Sequence, residues 1–348
     1  MHALTFHGKE RIEYETVPDP RIMAPTDAIV EVTSTAICGS DLHIYHERET
    51  GLDIGTVMGH EFVGTVVEPG PDVANFKKGD PVMSPFTTSC GECFFCRRGL
   101  TCRCIHGELF GWVAGGAGLH GAQAEYVRVP LADSTLRLIP DRMTREEALL
   151  LGDVFPTGYF CAEMAGAGPD GVCAVIGCGP VGLMAILGAR HLGAERVFAV
   201  DSIERRLDLA GQFGAIPLNY RELDAAAAVR DETDGRGADA VLDVVGSAEA
   251  GRSAYELVRP GGTIAVVGVH TEKHMPFSPA EAYDKNITYR VGRCPARHYM
   301  DRLIPVIEKM EHDITSIISH RLPLAEGPAA YRMFDEKRDD CTKVVLKP

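Results

Sequence analysis

Five of the eleven cysteines lie within fifteen residues, between Cys90 and Cys104. Four of them follow the spacing C-x2-C-x2-C-x7-C, namely Cys90, Cys93, Cys96 and Cys104. Four thiolates from one compact lobe close a tetrahedral coordination sphere, which is typical of structural zinc. An iron–sulfur cluster is the chemical alternative for four thiolates. We predict that residues 90–104 form a zinc-binding lobe in which Cys102 is the spare cysteine.

A second set of potential metal ligands is spread along the chain. Cys38 begins the segment Cys-Gly-Ser-Asp-Leu-His, and His60 lies in Gly-His-Glu-x-x-Gly. The candidates for a third ligand are Asp153 and Glu61. Three protein ligands and one open position allow Zn2+ to act as a Lewis acid on a bound oxygen. Taken singly, a histidine or cysteine of this kind is more often structural, so the prediction depends on a nucleotide-binding motif elsewhere in the chain.

A glycine-rich turn supplies that motif. It follows an apolar segment that predicts a buried parallel strand, and it opens a predicted helix. The predicted coenzyme-binding turn consists of Gly177, Gly179, Pro180, Val181 and Gly182. The first glycine permits the tight turn, the second lets the backbone approach a pyrophosphate, and the third allows the helix to pack closely on the strand. The alternative is a strand–helix turn that binds no ligand. The position of the glycines between a predicted buried strand and a predicted helix disfavours this alternative.

The second predicted strand of this region ends at Asp201, 19 residues after Gly182. A carboxylate at about this spacing accepts the adenosine ribose hydroxyls of NAD. Arg205 and Arg206 follow, and they leave NADP open as the coenzyme or else form a solvated helix face.

The elements that must position these residues indicate two domains. A chain of 348 residues exceeds the size of one hydrophobic core. The first part alternates in short β-strands, whereas residues from Gly171 onward alternate between apolar strands and helices, which predicts a doubly wound parallel sheet. A capping box at Thr144 and Glu147 predicts a helix start, and a helix is expected around 301–310. The last apolar segment, 343–346, is predicted to return to the first domain.

Composition narrows the class of partner. The net charge of −14 makes a basic face for nucleic acid or anionic membranes improbable, so a small-molecule substrate is expected. The N-terminal residues lack the features of a secretory signal, and clustered cysteines in a reducing compartment favour metal binding over disulfides. We therefore expect a cytoplasmic location.

With these motifs in this order, the chain resembles the zinc-dependent alcohol dehydrogenases of the medium-chain dehydrogenase/reductase family over essentially its whole length. The resemblance implies an α/β protein with a GroES-like β-rich catalytic domain, residues 1–154 and 294–348. It also implies a Rossmann coenzyme-binding domain, residues 155–293, with the active site in the cleft between the two. Two zinc ions per chain and NAD are the implied cofactors.

The resemblance assigns the catalytic residues by position. Cys38 and His60 match catalytic zinc ligands, and Asp153 occupies the third-ligand position, where many members have cysteine. Polyol-type members instead recruit the glutamate that corresponds to Glu61. Ser40 and His43 match a hydroxyl-to-imidazole relay that carries away the proton when a zinc-bound alkoxide forms.

The remaining coenzyme contacts are also implied by the resemblance. Thr157 and Arg206 match coenzyme-binding positions. Val267, Gly268 and Val269 align with a strand end that binds the carboxamide, and Lys343 aligns with a basic residue near the pyrophosphate.

The predicted function is hydride transfer between NAD and a primary or secondary alcohol, giving an aldehyde or ketone. The alternatives are a polyol or threonine-type dehydrogenase of the same family and a catalytically inactive nucleotide-binding relative. Family habit implies a homodimer or homotetramer.

Overall fold

A computed structural model describes residues 1–348. The chain divides into two compact units. The first unit comprises Met1–Asp153 and Pro295–Pro348, and the second comprises Val154–Cys294. Each unit has its own sheet, so the two are described in turn.

The N-terminal part of the first unit is rich in short strands. They are β1 (His2–Phe6), β2 (Ile12–Thr16), β3 (Ala28–Ile37), β4 (Phe62–Pro69), β5 (Pro81–Met83), β6 (Trp112–Ala114), β7 (Ala117–Leu119), β8 (Tyr126–Val129) and β9 (Arg137–Leu138). Its helices are α1 (Asp41–Tyr45), α2 (Ala132–Thr135) and α3 (Arg145–Leu151). The predicted capping box is confirmed, because Thr144 accepts from the Glu147 N–H while the Glu147 side chain accepts from the Thr144 N–H.

Strand β3 is the longest in this unit, and eight of its ten side chains are buried. Ser34 and Thr35 are among the buried residues, so burial extends to polar side chains of this strand. Strand β3 pairs antiparallel with β4 and β8, and the β4–β5–β9 series continues the sheet. The ends of β3 and β4 therefore place Cys38 and His60 side by side.

The second unit alternates helices with parallel strands. Its strands are β10 (Val172–Ile176), β11 (Arg196–Asp201), β12 (Ile216–Asn219), β13 (Ala238–Asp243), β14 (Val258–Val266) and β15 (Thr288–Val291). Its helices are α4 (Val154–Ala165), α5 (Pro180–His191), α6 (Glu204–Gln212), α7 (Ala225–Asp231), α8 (Ala248–Leu257) and α9 (Pro279–Asp284).

The six strands of the second unit form one parallel sheet in the order β12-β11-β10-β13-β14-β15. Counted within the unit, this is the order 3-2-1-4-5-6 of a Rossmann fold, in which ligands bind at the carboxyl ends of the strands. All five residues of β10 are buried, as expected for a central parallel strand. The predicted doubly wound domain is confirmed.

The C-terminal segment returns to the first unit. It contains α10 (Ala296–Ile307), β16 (Ile318–Pro323), α11 (Gly327–Glu336) and β17 (Lys343–Lys347). Strand β17 pairs antiparallel with β3 and parallel with β16, which confirms the predicted return of the last strand. A helix was predicted around 301–310, but its predicted start is wrong, because α10 begins at Ala296. The apolar stripe that α10 buries starts at its first residue and consists of residues 296, 299, 300, 303 and 307.

None of the helices is long and apolar enough to cross a membrane.

Candidate active site

Four potential metal ligands converge in the first unit. One ligand atom from each of Cys38, His60, Glu61 and Asp153 lies within 4.8 Å of all the others. The Asp153 Oδ2 atom lies 3.5 Å from Cys38 Sγ and 3.3 Å from His60 Nε2. Glu61 is fully buried, and the other three are nearly so. The structure thus brings together the two predicted ligands and both candidates for the third.

Three elements position these side chains. Cys38 directly follows β3, and His60 and Glu61 directly precede β4. Thr35 on β3 pairs with Phe62 on β4, and the Thr35 hydroxyl donates to the Glu61 carbonyl at 2.7 Å. Asp153 comes two residues after α3. The site therefore stands on the ends of two central strands and one capped helix.

The electrostatics of this group suit a divalent cation. Burial raises the pKa of the Cys38 thiol, and the charges of Asp153 and Glu61 raise it further. Burial would lower the pKa of His60, but the Asp41 charge and hydrogen bonds to Asp153 and Asp41 bring it well above its ordinary value. Acidic groups this close repel one another unless a cation lies among them.

The donor set fits zinc on two counts. A thiolate, an imidazole and a carboxylate are ligand types that Zn2+ takes in proteins. In addition, the buried Glu61 Oε2 atom has no hydrogen-bond partner. A buried carboxylate oxygen without a partner is costly, and a nearby cation would remove that cost.

Lys343 is not where the resemblance implied. It is fully buried, its Nζ lies 2.6 Å from Glu61 Oε1, and it donates to the Ile37 carbonyl at 3.1 Å. Burial would lower its pKa, but the neighbouring Glu61 charge raises it, so the ammonium stays charged. The prediction that Lys343 binds the pyrophosphate is wrong, because this ion pair leaves the ammonium no exposed surface.

Ser40 and His43 lie at the start of α1. The Ser40 hydroxyl is 3.5 Å from His60 Nε2, and the His43 backbone N–H donates to the Ser40 carbonyl at 3.0 Å. Burial lowers the pKa of His43, and the charges of Arg48 and His46 lower it further. The His43 Nδ1 atom is buried without a partner. The imidazole is thus a neutral group that can still accept a proton.

Sequence reasoning missed the residues on the far side of His60. The Nδ1 atom of His60 lies 3.4 Å from Asp41 Oδ1. Gln123 donates to Asp41 Oδ2 at 3.3 Å, and the Tyr331 hydroxyl donates to Gln123 Oε1 at 2.8 Å. Asp41 stands within the Cys-Gly-Ser-Asp-Leu-His segment, which could have indicated it. Nothing local marks Gln123 or Tyr331, which are distant in sequence.

An aromatic side chain beside the site was also missed. The Phe86 ring meets the His60 ring edge to face, with 6.3 Å between centroids and an 82° angle between planes. It follows β5 and is nearly buried. The group of potential metal ligands is therefore bordered by an apolar ring on the side of His60.

The cysteine lobe also has metal-site geometry. One sulfur from each of Cys90, Cys93, Cys96 and Cys104 lies within 4.8 Å of the others. Backbone N–H groups of Cys96 and Ile105 lower the pKa of Cys93 to about 6. The N–H groups of Cys90 and His106 point at Cys104 Sγ, at 3.2 and 3.4 Å. Backbone donors of this kind favour thiolates, which are the form that binds zinc. Burial acts in the opposite direction, and it raises the pKa of Cys96 to about 12 and also raises that of Cys104.

In the second unit, the glycine-rich turn connects β10 to α5. Gly177 has a φ of +89°, which other residues rarely adopt. A Cβ on Gly182 would lie 1.8 Å from the Gly177 carbonyl oxygen, so no side chain fits there. Gly179 is the N-cap of α5 and Pro180 is its first residue. The helix N-terminus, with Val181 in its first turn, is therefore open for a phosphate.

Asp201 ends β11 beside this turn. Its Oδ2 accepts from the Cys178 N–H at 2.7 Å, and its Oδ1 accepts from the N–H groups of Ser202 and Ile203. A carboxylate has about four acceptor sites, so one remains for a ligand hydroxyl. The Arg206 guanidinium lies 3.9 Å from Asp201 Oδ2 and 3.8 Å from a Cβ built on Gly179.

The other predicted coenzyme residues of this unit lie on two elements. Val267, Gly268 and Val269 directly follow β14. The Val267 N–H donates to the Asp243 carbonyl at 3.1 Å, and a Cβ on Gly268 would lie 2.3 Å from the Gly246 nitrogen. Thr157 lies in the first turn of α4.

Comparisons with known proteins agree with this arrangement. Residues 24–141 match the family model of the alcohol dehydrogenase GroES-like domain, and residues 180–309 match that of the zinc-binding dehydrogenase. The zinc-type alcohol dehydrogenase B of Aspergillus flavus is 42% identical, over 100% of this chain and 81% of its own length.

Solved structures give the same result. The alcohol dehydrogenase TADH from Thermus sp. ATN1 superposes with a TM-score of 0.93 at 40% identity, covering 100% of this chain and 99% of its own. The zinc-dependent alcohol dehydrogenase 2 from Streptococcus pneumonia has a TM-score of 0.91 at 33% identity and covers 100% and 98%. With both domains and the full length matched, the chain belongs to the zinc-dependent alcohol dehydrogenases of the medium-chain dehydrogenase/reductase family.

Proposed function

We propose that Cys38, His60 and Asp153 hold the catalytic zinc of this alcohol oxidoreductase, and that Cys90, Cys93, Cys96 and Cys104 hold a structural zinc. The observation that carries the proposal is the approach of Asp153 Oδ2 to both Cys38 Sγ and His60 Nε2, within 3.5 Å. Zinc at three ligands with an open position supplies Lewis acidity toward the substrate oxygen.

Asp153 is preferred to Glu61 as the third ligand. One oxygen of Glu61 is engaged by the buried Lys343, whereas Asp153 Oδ2 lies against the two other ligand atoms. The Lys343 ion pair holds the Glu61 carboxylate toward β17. The unpartnered Glu61 Oε2 is the observation that keeps the polyol-type alternative open.

The net reaction converts an alcohol and NAD+ into a carbonyl compound, NADH and one proton. We assign the removal of that proton to the Ser40 hydroxyl and the His43 imidazole. Ser40 Oγ lies beside His60 Nε2, and the neutral His43 is one helical turn away. Asp41 accepts from His60 Nδ1–H and so keeps the Nε2 lone pair turned toward the ligand group.

The coenzyme is proposed to be NAD, held by the glycine-rich turn, Asp201, Arg206, Thr157 and residues 267–269. The free acceptor site of Asp201 suits a ribose hydroxyl, whereas a 2′-phosphate would meet its negative charge. Arg206 would have to leave Asp201 to bind that phosphate.

Two features of the whole protein are proposed on the same basis. Reduced thiols are required at both zinc sites, and none of the eleven cysteines forms a disulfide, which suits the cytoplasm. A homodimer or homotetramer is proposed from the family resemblance, and light scattering of the purified protein would measure it.

The test is a dehydrogenase screen of the zinc-loaded protein with NAD+ and NADP+ against primary, secondary and polyhydroxy alcohols. We expect reduced coenzyme to form with simple primary or secondary alcohols, with a higher kcat/KM for NAD+ than for NADP+. Preference for polyhydroxy alcohols would favour the polyol-type alternative. Absence of turnover with every alcohol would favour an inactive nucleotide-binding relative.

A further inference from the structure

A buried chain of hydrogen bonds leads from His60 to the C-terminal helix α11. It runs from His60 Nδ1 to Asp41, from Asp41 to Gln123, and from Gln123 to the hydroxyl of Tyr331. Asp41, Gln123 and Tyr331 are each at most 1% exposed. Bulk water therefore does not reach these three residues.

The direction of every bond in this chain is fixed by chemistry. The Gln123 amide nitrogen donates to the Ala36 carbonyl at 3.1 Å and to Asp41 Oδ2, so the Gln123 oxygen must be the acceptor for Tyr331. Asp41 Oδ2 also accepts from the Cys38 N–H at 3.0 Å. Asp41 Oδ1 is then left for the Nδ1–H of His60. That tautomer leaves the Nε2 lone pair of His60 free for a metal.

The local backbone makes room for Gln123. A Cβ built on Gly59, the residue before His60, would lie 2.4 Å from Gln123 Cγ. Gly59 also has a φ of +90°. The glycine of the Gly-His-Glu segment therefore lets the Gln123 side chain pass His60 on its way to Asp41.

Tyr331 supplies the far end from a hydrophobic cluster. Its ring packs among buried apolar side chains, with the Tyr45 ring centroid 5.7 Å away. A phenylalanine would fill the same space, so the hydroxyl is explained by its bond to Gln123 and not by packing. An unpaired oxygen of Gln123 would otherwise be buried.

We propose that Gln123 and Tyr331 are positioning residues of the catalytic zinc site, which hold Asp41 in place and thereby fix the orientation and tautomer of His60. The proposal rests on the assignment of His60 as a zinc ligand made above. Through Tyr331, the C-terminal helix α11 contributes to the affinity for a metal that none of its residues touches.

The test uses zinc-loaded protein and measures zinc transfer to a chromophoric chelator. Gln123→Met removes all three hydrogen bonds of the Gln123 side-chain amide. We expect the catalytic zinc to bind about tenfold more weakly, which is the low end of the losses seen when a hydrogen-bond partner of a metal ligand is removed. Tyr331→Phe removes one hydroxyl, and we expect a loss of about fivefold, the value of one hydrogen bond. The zinc of the cysteine lobe serves as an internal reference and should not change.

Tyr45→Phe is the matched control, because it removes a hydroxyl from the same cluster without touching Asp41, and it should leave zinc affinity unchanged. Wild-type protein with two zinc ions, together with Tyr331→Phe within twofold of wild-type affinity, would overturn this proposal and leave the proposed function standing. Wild-type protein that holds zinc only in the cysteine lobe would overturn both. If Gln123→Met fails to fold, the zinc affinity of Tyr331→Phe still tests the proposal.

Discussion

At the scale of single residues, the two carboxylates of the site differ in their partners. Asp153 faces Cys38 and His60, whereas Glu61 is tied to Lys343. Motif spacing alone placed both as candidates for the third ligand. The family resemblance favoured Asp153, which is followed four residues later by Thr157. Spacing alone could not rank the two, because the ion pair that separates them comes from a lysine 282 residues away.

Replacing Asp153 by Asn should weaken catalytic zinc far more than replacing Glu61 by Gln. The first change removes a charged ligand, and we expect a loss on the order of 10²-fold or more in kcat/KM, comparable with the upper range for metal-site partners. Zinc content and kcat/KM of both variants check this. A greater loss of zinc in the Glu61 variant would show that the third ligand is misassigned.

His43 is predicted to set the acid limb of the pH–rate profile. Its folded pKa is lowered by burial, so it stays neutral through ordinary pH and gains a proton only as the pH falls through that lowered pKa. Activity should therefore fall in acid. His43→Gln should remove this acid limb and lower kcat roughly 10- to 10²-fold at neutral pH. This loss is at or below the low end of what a positioned general base contributes to the rate, because water can take over part of the proton transfer.

Profiles of kcat against pH for both proteins test this. The His46→Gln variant, one turn further along, should keep the acid limb and move it slightly to higher pH, because the His46 charge no longer lowers the pKa of His43. An acid limb that survives unchanged in the His43 variant would contradict the relay.

The residues around His60 mark the limit of sequence reasoning at this scale. Cys38, His60 and the cysteine lobe were found because each lies in a short motif. Gln123 and Tyr331 are 82 and 208 residues from the partners they bond, so no local pattern brings them together. Lys343 was misplaced because its position on the last strand gives no information about which charge it faces.

At the scale of elements, α3 ends two residues before Asp153, and its first turn is fixed by specific contacts. Its capping box satisfies two backbone donors, and Glu146 forms a two-pronged ion pair with Arg321 of β16, each contact at 2.7 Å. The capping box could be predicted from the sequence because Thr144 and Glu147 are only three residues apart. The ion pair could not be predicted, since β16 lies far along the chain. The start of α10 was predicted too late, because its buried residues begin at Ala296, before the segment 301–310 that was predicted as helical.

Glu146→Gln should lower stability more at neutral pH than in acid. The Arg321 hydrogen bonds lower the pKa of Glu146 below its ordinary 4.5. The stabilisation is therefore fully present above that value and is lost as the pH falls through the lowered pKa. We expect a loss of roughly 1 kcal/mol at pH 7, the upper range for such pairs, and a smaller loss at pH 3. Urea unfolding at both pH values measures it.

The control for that comparison is Glu311→Gln, because Glu311 is exposed and should give no difference at either pH. Loss of zinc in acid affects all three proteins alike and cancels in the difference. An equal loss of stability at pH 7 and pH 3 would mean that the Arg321 pair is not its cause.

At the scale of the whole molecule, two units are built from different strand patterns. The parallel sheet of residues 154–294 was predictable, because apolar strands and helices alternate with glycine turns between them. The mainly antiparallel sheet of the first unit was predictable only in class, since its order β16-β17-β3-β4-β5-β9 brings the C-terminal strands against the N-terminal ones. This pairing places β17, and with it Lys343, next to Glu61 and the proposed zinc ligands.

The central claim is that one zinc lies at Cys38, His60 and Asp153 and a second in the cysteine lobe. Metal analysis of wild-type, Cys38→Ser and Cys93→Ser protein, combined with alcohol-dependent NADH formation, tests it most directly. We predict two zinc ions for wild type and one for each variant. Activity should be abolished in Cys38→Ser, while Cys93→Ser should be less stable. A single zinc ion in wild type, or two zinc ions and full activity in Cys38→Ser, would contradict the account.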